Sequence, residues 1–392
     1  MKRLLAAGVS FVAVSLLPVA GQAQDTVKIG LIMAFSGQFA DPSIQIDDGF
    51  KLYLKQHGDK LGGKSVQIIR KDVGGINPPV AKRLAQELVT RDNVDIFGGF
   101  DLTPNALAAG DVSAEAKKFM VVMNAATAIV TMRSPYIVRT SFTVPQLNHT
   151  LGTWAEKNGL KKAYTMVVDF GPGIDAEAAF QKGFREAGGE IVGSVRMAVQ
   201  NPDFSAYVQR AKDIDPQGIF IMIPGGAQPA AFGKALAERG IDPTKIEILG
   251  QAEVTDEHAL ASMGDIAIGI ITAGRYDYNH KSKLNEDFVK AYTAEYKRNP
   301  DFFSVGGYDG ARVIDEALQK SGGKTDGESL IVAAKGLAWE SPRGPISIDP
   351  ETRDIVQNVY IRRVENVNGK SVNVEIDTIP NVKDPFKAAM KQ

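Results

Sequence analysis

Apolar positions along this chain come in two rhythms that alternate almost from end to end. Short continuous apolar runs, four to eight residues long, read as strands buried on both faces. Between them lie longer stretches with apolar residues three and four apart, the mark of amphipathic helices. The first run behind residue 25 is Val27-Lys28-Ile29-Gly30-Leu31-Ile32-Met33-Ala34-Phe35, closed by a Ser36-Gly37 turn. Val66–Arg70, Val94–Gly98 and Phe119–Met123 follow as strands. Asn77-Pro78-Pro79 opens a helix with a capping side chain and a proline in its first turn, and Val80, Leu84 and Leu88 recur at helical spacing. Thr103-Pro104 reads as the same device.

The rhythm then repeats. Ala163–Val168, Ile191–Met197, Gly218–Ile223 and Ile246–Gly250 are predicted strands. Ala176–Ala187, Phe204–Ile214 and Ala230–Arg239 are predicted helices, with Gly188-Gly189 and Gly240 as stops. Such alternation implies parallel sheets covered by helices on both faces. Two blocks, roughly 25–142 and 144–272, each have the size of a domain. The tail holds long helices over Leu284–Lys297 and Gly310–Lys320 but only two strands, Gly344–Ile348 and Val356–Val364. It is too poor in strands for a third sheet. The chain is therefore expected to cross back near Thr143, Ala273 and Gly344 and to complete both blocks. The resulting division is 24–142 plus 274–343 for one lobe and 143–273 plus 344–392 for the other.

The N-terminus breaks the pattern. Lys2 and Arg3 precede an apolar run from Leu4 to Leu17, then Pro18 and the small residues Gly21 and Ala23. This reads as a secretory signal, residues 1–23, cleaved near Ala23, and places the mature chain in the periplasm. The 392 residues carry a net charge of −1, with no basic excess that would favour nucleic acid. There is no cysteine, so thiol chemistry, disulfides and a lipid-anchored cysteine are excluded. Past the leader, no apolar stretch approaches the roughly 18 residues of a membrane span.

In open parallel sheets, ligands sit beyond the carboxyl ends of the strands. That rule selects the turns Phe35–Pro42, Phe100–Asn105, Asn124–Ala128, Asp169–Asp175, Pro224–Gln228, Gln251–Thr255 and Gly306–Gly310. At Thr103-Pro104-Asn105, unpaired helix-start amides suit a carboxylate, and Thr103 offers a hydroxyl as well as a cap. In Asn124-Ala125-Ala126-Thr127, small residues let a ligand approach the backbone. Glu253, clustered with Asp256 and Glu257, is a candidate to face an ammonium group, or is simply a surface charge. Phe39, Phe170 and Tyr308 would wall the apolar part beside Pro224, with Tyr276 and Tyr278 as further aromatic candidates. Gly171-Pro172-Gly173-Ile174-Asp175-Ala176 matches a dinucleotide turn, but the next strand ends without the acid that fold needs. The four histidines are scattered and no G-x-S-x-G elbow occurs. No metal, cofactor or enzymatic activity is expected.

Taken together, Lys28-Ile29-Gly30-Leu31 through Ser36-Gly37, Gly98-Gly99, Asn124-Ala125-Ala126-Thr127, Gly306-Gly307-Tyr308-Asp309-Gly310 and Glu340-Ser341-Pro342-Arg343-Gly344-Pro345 resemble, in order and spacing, one family. It is that of the periplasmic solute-binding proteins of branched-chain amino acid type ABC importers, the type I periplasmic binding proteins. The resemblance implies an α/β fold of two doubly wound parallel-sheet lobes joined by a three-segment hinge. It implies closure over a small ligand that is handed to a membrane permease; the ligand is expected to be a carboxylate and the chain a monomer. It assigns Thr103, Ala126 and Thr127 to the ligand carboxylate and Glu253 to an ammonium. The chain departs from the family at Asp101-Leu102-Thr103-Pro104, in place of a serine-rich start, and at Ile223-Pro224-Gly225-Gly226, which lacks a tyrosine. Its tail Glu340–Asp354 is similar to a subgroup that binds aromatic carboxylates such as hydroxybenzoates. The ligand is thus expected to be a branched-chain or hydrophobic amino acid or an aromatic acid. A sensor module of a signalling receptor, or an exported enzyme on the same fold, are the alternatives.

Overall fold

The computed structural model describes residues 26–389; the expected signal segment and its cleavage site lie outside them. The first block runs β1 (Thr26–Met33), α1 (Ala40–Gln56), β2 (Lys60–Leu61), β3 (Lys64–Asp72), α2 (Pro78–Thr90), β4 (Ile96–Gly99), α3 (Thr103–Ala116), β5 (Phe119–Val122) and β6 (Ile137–Arg139). The second runs α4 (Val144–Lys157), β7 (Lys162–Val168), α5 (Gly171–Ala187), β8 (Glu190–Met197), α6 (Phe204–Ile214), β9 (Gly218–Met222), α7 (Gln228–Arg239), β10 (Glu247–Gln251), α8 (Glu257–Met263) and β11 (Ile271–Gly274). The tail supplies α9 (Lys283–Tyr296), α10 (Phe302–Lys320), α11 (Gly327–Ala334), β12 (Ala338–Ser341), β13 (Gly344–Ile348), β14 (Ile355–Val367), β15 (Lys370–Val382) and α12 (Pro385–Ala389).

Two sheets result. The first has the order β2-β3-β1-β4-β5-β6 and is parallel except for the β2–β3 hairpin. The second contains the parallel run β11-β10-β9-β7-β8, extended on the β11 side by antiparallel β14, β13 and β12, with β15 also paired to β14. In the first sheet the order reverses between β1 and β4, because the chain leaves β1 to one side for β3 and returns to the other for β4. In the second it reverses between β7 and β9 for the same reason. Each reversal opens a crevice at the carboxyl ends of those strands.

The tail is shared. Val305, Ala311, Ile314 and Leu318 of α10 pack with Val27, Ile29 and Leu31 of β1, and so do Ile346, Ile348 and Ile355. Val359, Ile361 and Val364 of β14 instead join the core of the second sheet.

Two local expectations fail. Gly306–Gly310 is not a turn but lies inside α10, which starts at Phe302 behind an Asp301/Ser304 capping box. The glycines there serve contact: a Cβ at Gly307 would fall 1.9 Å from the Ile46 carbonyl oxygen, and one at Gly306 would fall 2.6 Å from that of Met123. Only residues without a Cβ let these backbones come so close. Thr103 is likewise the first helical residue of α3, not its cap; Leu102 holds the cap position and makes no side-chain bond there. The long β14–β15 hairpin adds a strand that the sequence pattern did not single out.

Buried arginines tie the crossing segments together. Arg139 meets Asp354 at 2.6 Å and donates to the carbonyls of Ala125 and Thr127. Arg343 meets Asp309 at 2.8 Å and donates to Ser141 O and Gln357. Arg362 pairs with Asp277, and Arg275 with Glu253, each at 3.4 Å. All four guanidinium side chains are almost wholly buried. Removing one partner of such a pair leaves an uncompensated buried charge, at a cost of about 3–5 kcal/mol. Arg343→Met should lower unfolding free energy in urea by about that amount; a loss within experimental error would show that Asp309 finds another partner.

Candidate functional site

Both crevices open into one cavity. Phe39 and Pro42 enter from the turn after β1, Asp101, Leu102 and Thr103 from the turn after β4, and Asn124, Ala125 and Ala126 from the turn after β5. Opposite them stand Phe170 and Pro172 after β7, Met222, Pro224 and Gly225 after β9, and Gln251 and Glu253 after β10. Phe142 and Val144 on the first crossing and Phe303 from α10 complete the wall. Phe39, Thr103, Asn124, Ala126, Phe170, Pro224 and Glu253 are thus brought together as the sequence suggested.

The turn after β4 is held under strain. Phe100 sits at φ 64°, a conformation unfavourable for a bulky side chain. Its amide donates to Ile32 O and its carbonyl accepts from the Ala125 amide, which fixes it. Strain of this kind collects at functional sites, where surrounding structure enforces it. It delivers Thr103 to the cavity at the start of α3, where helix-start amides carry partial positive charge. Thr103 Oγ1 accepts from Thr127 N at 3.4 Å and from Thr127 Oγ1 at 3.3 Å. With its lone pairs so engaged, the Thr103 hydroxyl proton is left to donate to an acceptor in the cavity. Thr127 therefore stands behind Thr103. The carbonyls of the Asn124–Ala128 turn are occupied by Arg139 and by the Val144 amide, which locks the turn from its back.

Two carboxyl groups border the cavity. Asp101 is buried; its Oδ2 accepts from Ser43 Oγ at 2.9 Å and from Ala34 N at 3.2 Å, while Oδ1 has no partner. Burial pushes its pKa up to about 6 against those hydrogen bonds. Glu253 Oε1 meets Arg275 Nη1, and Oε2 accepts from Gln251 Nε2, both at 3.4 Å. Burial pulls the Arg275 pKa down to about 10, with the Glu253 charge opposing, so the guanidinium stays charged at neutral pH.

Tyr308, expected from the sequence to wall the cavity, does not reach it. It lies one and a half turns into α10 on the far side of the first lobe, donates to Gln56 Oε1 at 2.7 Å and stands edge-on to Tyr53. Because the helix begins earlier than its glycine run suggested, Phe303 in its first turn takes that role. Tyr276 is also removed from the cavity, with its hydroxyl on Asn285. Gln251 lines the cavity from the selected turn Gln251–Thr255, whereas Phe142 and Phe303 went unrecognised in the sequence; the Asp301 cap just ahead of Phe302-Phe303 was the signal that would have found the last. Asp256 and Glu257 line a neighbouring crevice with Asp277, Asp301 and Arg362. Among the described residues no group of His, Cys, Asp and Glu is placed to hold a metal, and no helix is long and apolar enough to cross a membrane.

In that crevice, Asp256 after β10 and Asp301 ahead of α10 are both buried. The Asp256 carboxyl is held well above its ordinary range by burial and by the Asp301 charge; burial pushes Asp301 up to about 7. Both values exceed those of an unfolded chain, near 4, so the folded protein holds protons that the unfolded chain has released. The stabilisation is complete below about pH 4 and is lost as pH rises through about 7. Melting temperature should therefore fall between about pH 5 and pH 8.5. Asp256→Asn, which keeps an acceptor for the Ala259 amide, should flatten the fall; an equally steep fall in the variant would place the bound proton elsewhere.

Residues 26–370 match the family described as periplasmic binding protein. A Leu/Ile/Val-binding protein homolog of Brucella melitensis is 40% identical over 365 residues, covering 92% of this chain and 93% of the relative. A solute-binding protein of an ABC transporter from Rhodopseudomonas palustris BisB5, solved in complex with 3,4-dihydroxybenzoic acid, is 50% identical, with a TM-score of 0.89 over 93% of this chain and 99% of that one. Another from strain HaA2, in complex with p-hydroxybenzoic acid, is 39% identical, with a TM-score of 0.90 over 94% and 100%.

Proposed function

The chain belongs to the periplasmic binding protein family, as a solute-binding protein of the ABC-transporter type, and on that premise we propose that its cleft captures a benzoate-type aromatic carboxylate. The observation that carries this reading is the polarity of the cavity. One end offers the start of α3 and the free proton of Thr103; much of the remaining wall is apolar, with Phe39, Phe142, Phe170 and Phe303 as its aromatic members, while Asn124, Gln251 and Glu253 border it. A carboxylate at the first end accepts charge-assisted hydrogen bonds from Thr103, with Thr127 behind it, and from the helix-start and Ala126 amides. Its ring lies among the aromatic side chains. The 50% identical protein holds a ligand of this class. Two such bonds at about 1.5–3 kcal/mol each and one buried ring at about 1.5–3 kcal/mol approach the roughly 8 kcal/mol of a micromolar complex.

The reading extends to the chain's place and partners. The leader exports it to the periplasm and is cleaved near Ala23. It acts as a monomer without catalysis, and a membrane permease receives the ligand. The lobes are 24–142 plus 274–343 and 143–273 plus 344–392, with the side chains of Ile346, Ile348 and Ile355 lent to the core of the first, and the crossings between them form the hinge.

A thermal-shift screen of aromatic acids against aliphatic amino acids tests the ligand class, since bound ligand raises melting temperature by mass action. 4-Hydroxybenzoate should shift the protein and leucine should not; the reverse result would restore the amino-acid reading. Thr103→Val should weaken 4-hydroxybenzoate about 10- to 100-fold in titration calorimetry, the worth of one hydrogen bond to a charged group. Thr127→Ala should weaken it several-fold with folding intact. Unchanged affinity in both would remove the carboxylate from this end of the cavity.

A further inference from the structure

We propose that Arg275 sets the ligand class of the cleft by occupying Glu253, so that the second lobe's carboxylate is withheld from ammonium groups and amino acids are refused. This deepens the proposed function and rests on it. Glu253 is the acid that borders the cavity from the second lobe, and without a counter-ion it would attract a zwitterion's ammonium. It has one: Arg275 Nη1 lies 3.4 Å from Oε1, and both side chains are buried.

Arg275 is not free to move aside. Its guanidinium centre lies 4.0 Å from the ring centre of Phe142 and 4.4 Å from that of Phe302, so it is sandwiched between two aromatic faces. Its Nη2 donates to Asn124 Oδ1 at 3.0 Å, and Asn124 in turn donates to the Asp101 carbonyl. Its backbone directly follows β11, at the second crossing. An ammonium that captured Glu253 would have to leave this guanidinium buried without its carboxylate, a penalty that corresponds to a loss of about 100-fold or more in affinity. A benzoate carries no ammonium and does not incur it. Asp101 is the other acid at the cavity: Oδ2 is held by Ser43 and Ala34 while Oδ1 is buried without a partner, so Asp101→Asn is included in the test.

Titration calorimetry of 4-hydroxybenzoate and L-leucine on the whole protein, wild type and variants, tests the assignment. Wild type should bind leucine at least about 100-fold more weakly than 4-hydroxybenzoate. Arg275→Met should narrow that ratio at least about 10-fold, chiefly through a gain in leucine. Glu253→Gln should not lower leucine affinity, because Glu253 is already taken by Arg275 and gives an ammonium no contact to lose. A folded Arg275→Met with an unchanged ratio overturns the proposal. So does a wild type that binds leucine tightly and loses it in Glu253→Gln, or in Asp101→Asn. If Arg275→Met does not fold, Glu253→Gln alone decides, since a drop in leucine affinity there would make Glu253 the contact of the ammonium and overturn the proposal. Wild type that binds neither compound defeats the aromatic reading, while a gain of leucine in Arg275→Met would still uphold the role of Arg275.

Discussion

Buried guanidinium–carboxylate pairing at the crossings is the constraint on which this structure depends. Arg139–Asp354, Arg343–Asp309, Arg275–Glu253 and Arg362–Asp277 lie where the chain passes between the two sheets or close beside it. Each guanidinium also satisfies backbone or side-chain oxygens of another segment, such as Ser141 O from Arg343 and Tyr276 O from Arg362. Burying charge is expensive, so such pairs are weak evidence for net stability. What they supply is uniqueness: a shifted crossing would strand a charge. In a molecule whose two cores are separate, that penalty fixes how the segments between them are laid.

The cavity follows from that frame. Parallel sheets direct their carboxyl-end turns, and the starts of the following helices, to one side. The reversal between β1 and β4 brings in Phe39 and Thr103, and the reversal between β7 and β9 brings in Phe170 and Pro224. The same arginines reach this far. Arg139 holds the carbonyls of the turn that contains Ala126, and Arg275 holds Asn124 and Glu253. The polar groups that border the cavity are therefore set by side chains outside it, as pre-organised binding requires.

Local rules read most of the architecture. Asn77 does cap α2 through its side chain, with Pro78 in the first turn, and Phe204–Ile214 is helical as its spacing predicts. Such features depend on neighbours a few residues away. Local rules misplaced Tyr308 and the glycines beside it, because Gly306 and Gly307 answer to Met123 and Ile46, far away in sequence. They also read Thr103 as a cap, whereas its hydroxyl answers to Thr127. Phe303 reaches the cavity only because Asp301, held by Gln45, starts α10 where it does.

The sequence by itself determined the alternation of strands and helices, the division into two sheets with a shared tail, and the turns that face the cleft from the two sheets, though not the approach of α10. These follow from apolar periodicity and from the handedness and direction of parallel sheets, which act on short stretches of chain. The tertiary structure decided which side chains in those turns are free to meet a ligand. Glu253 was legible as an acid near the cleft, but its pairing with Arg275 across 22 residues was not. Charge at a site is a sum over everything packed around it, and packing partners distant in sequence leave no local mark.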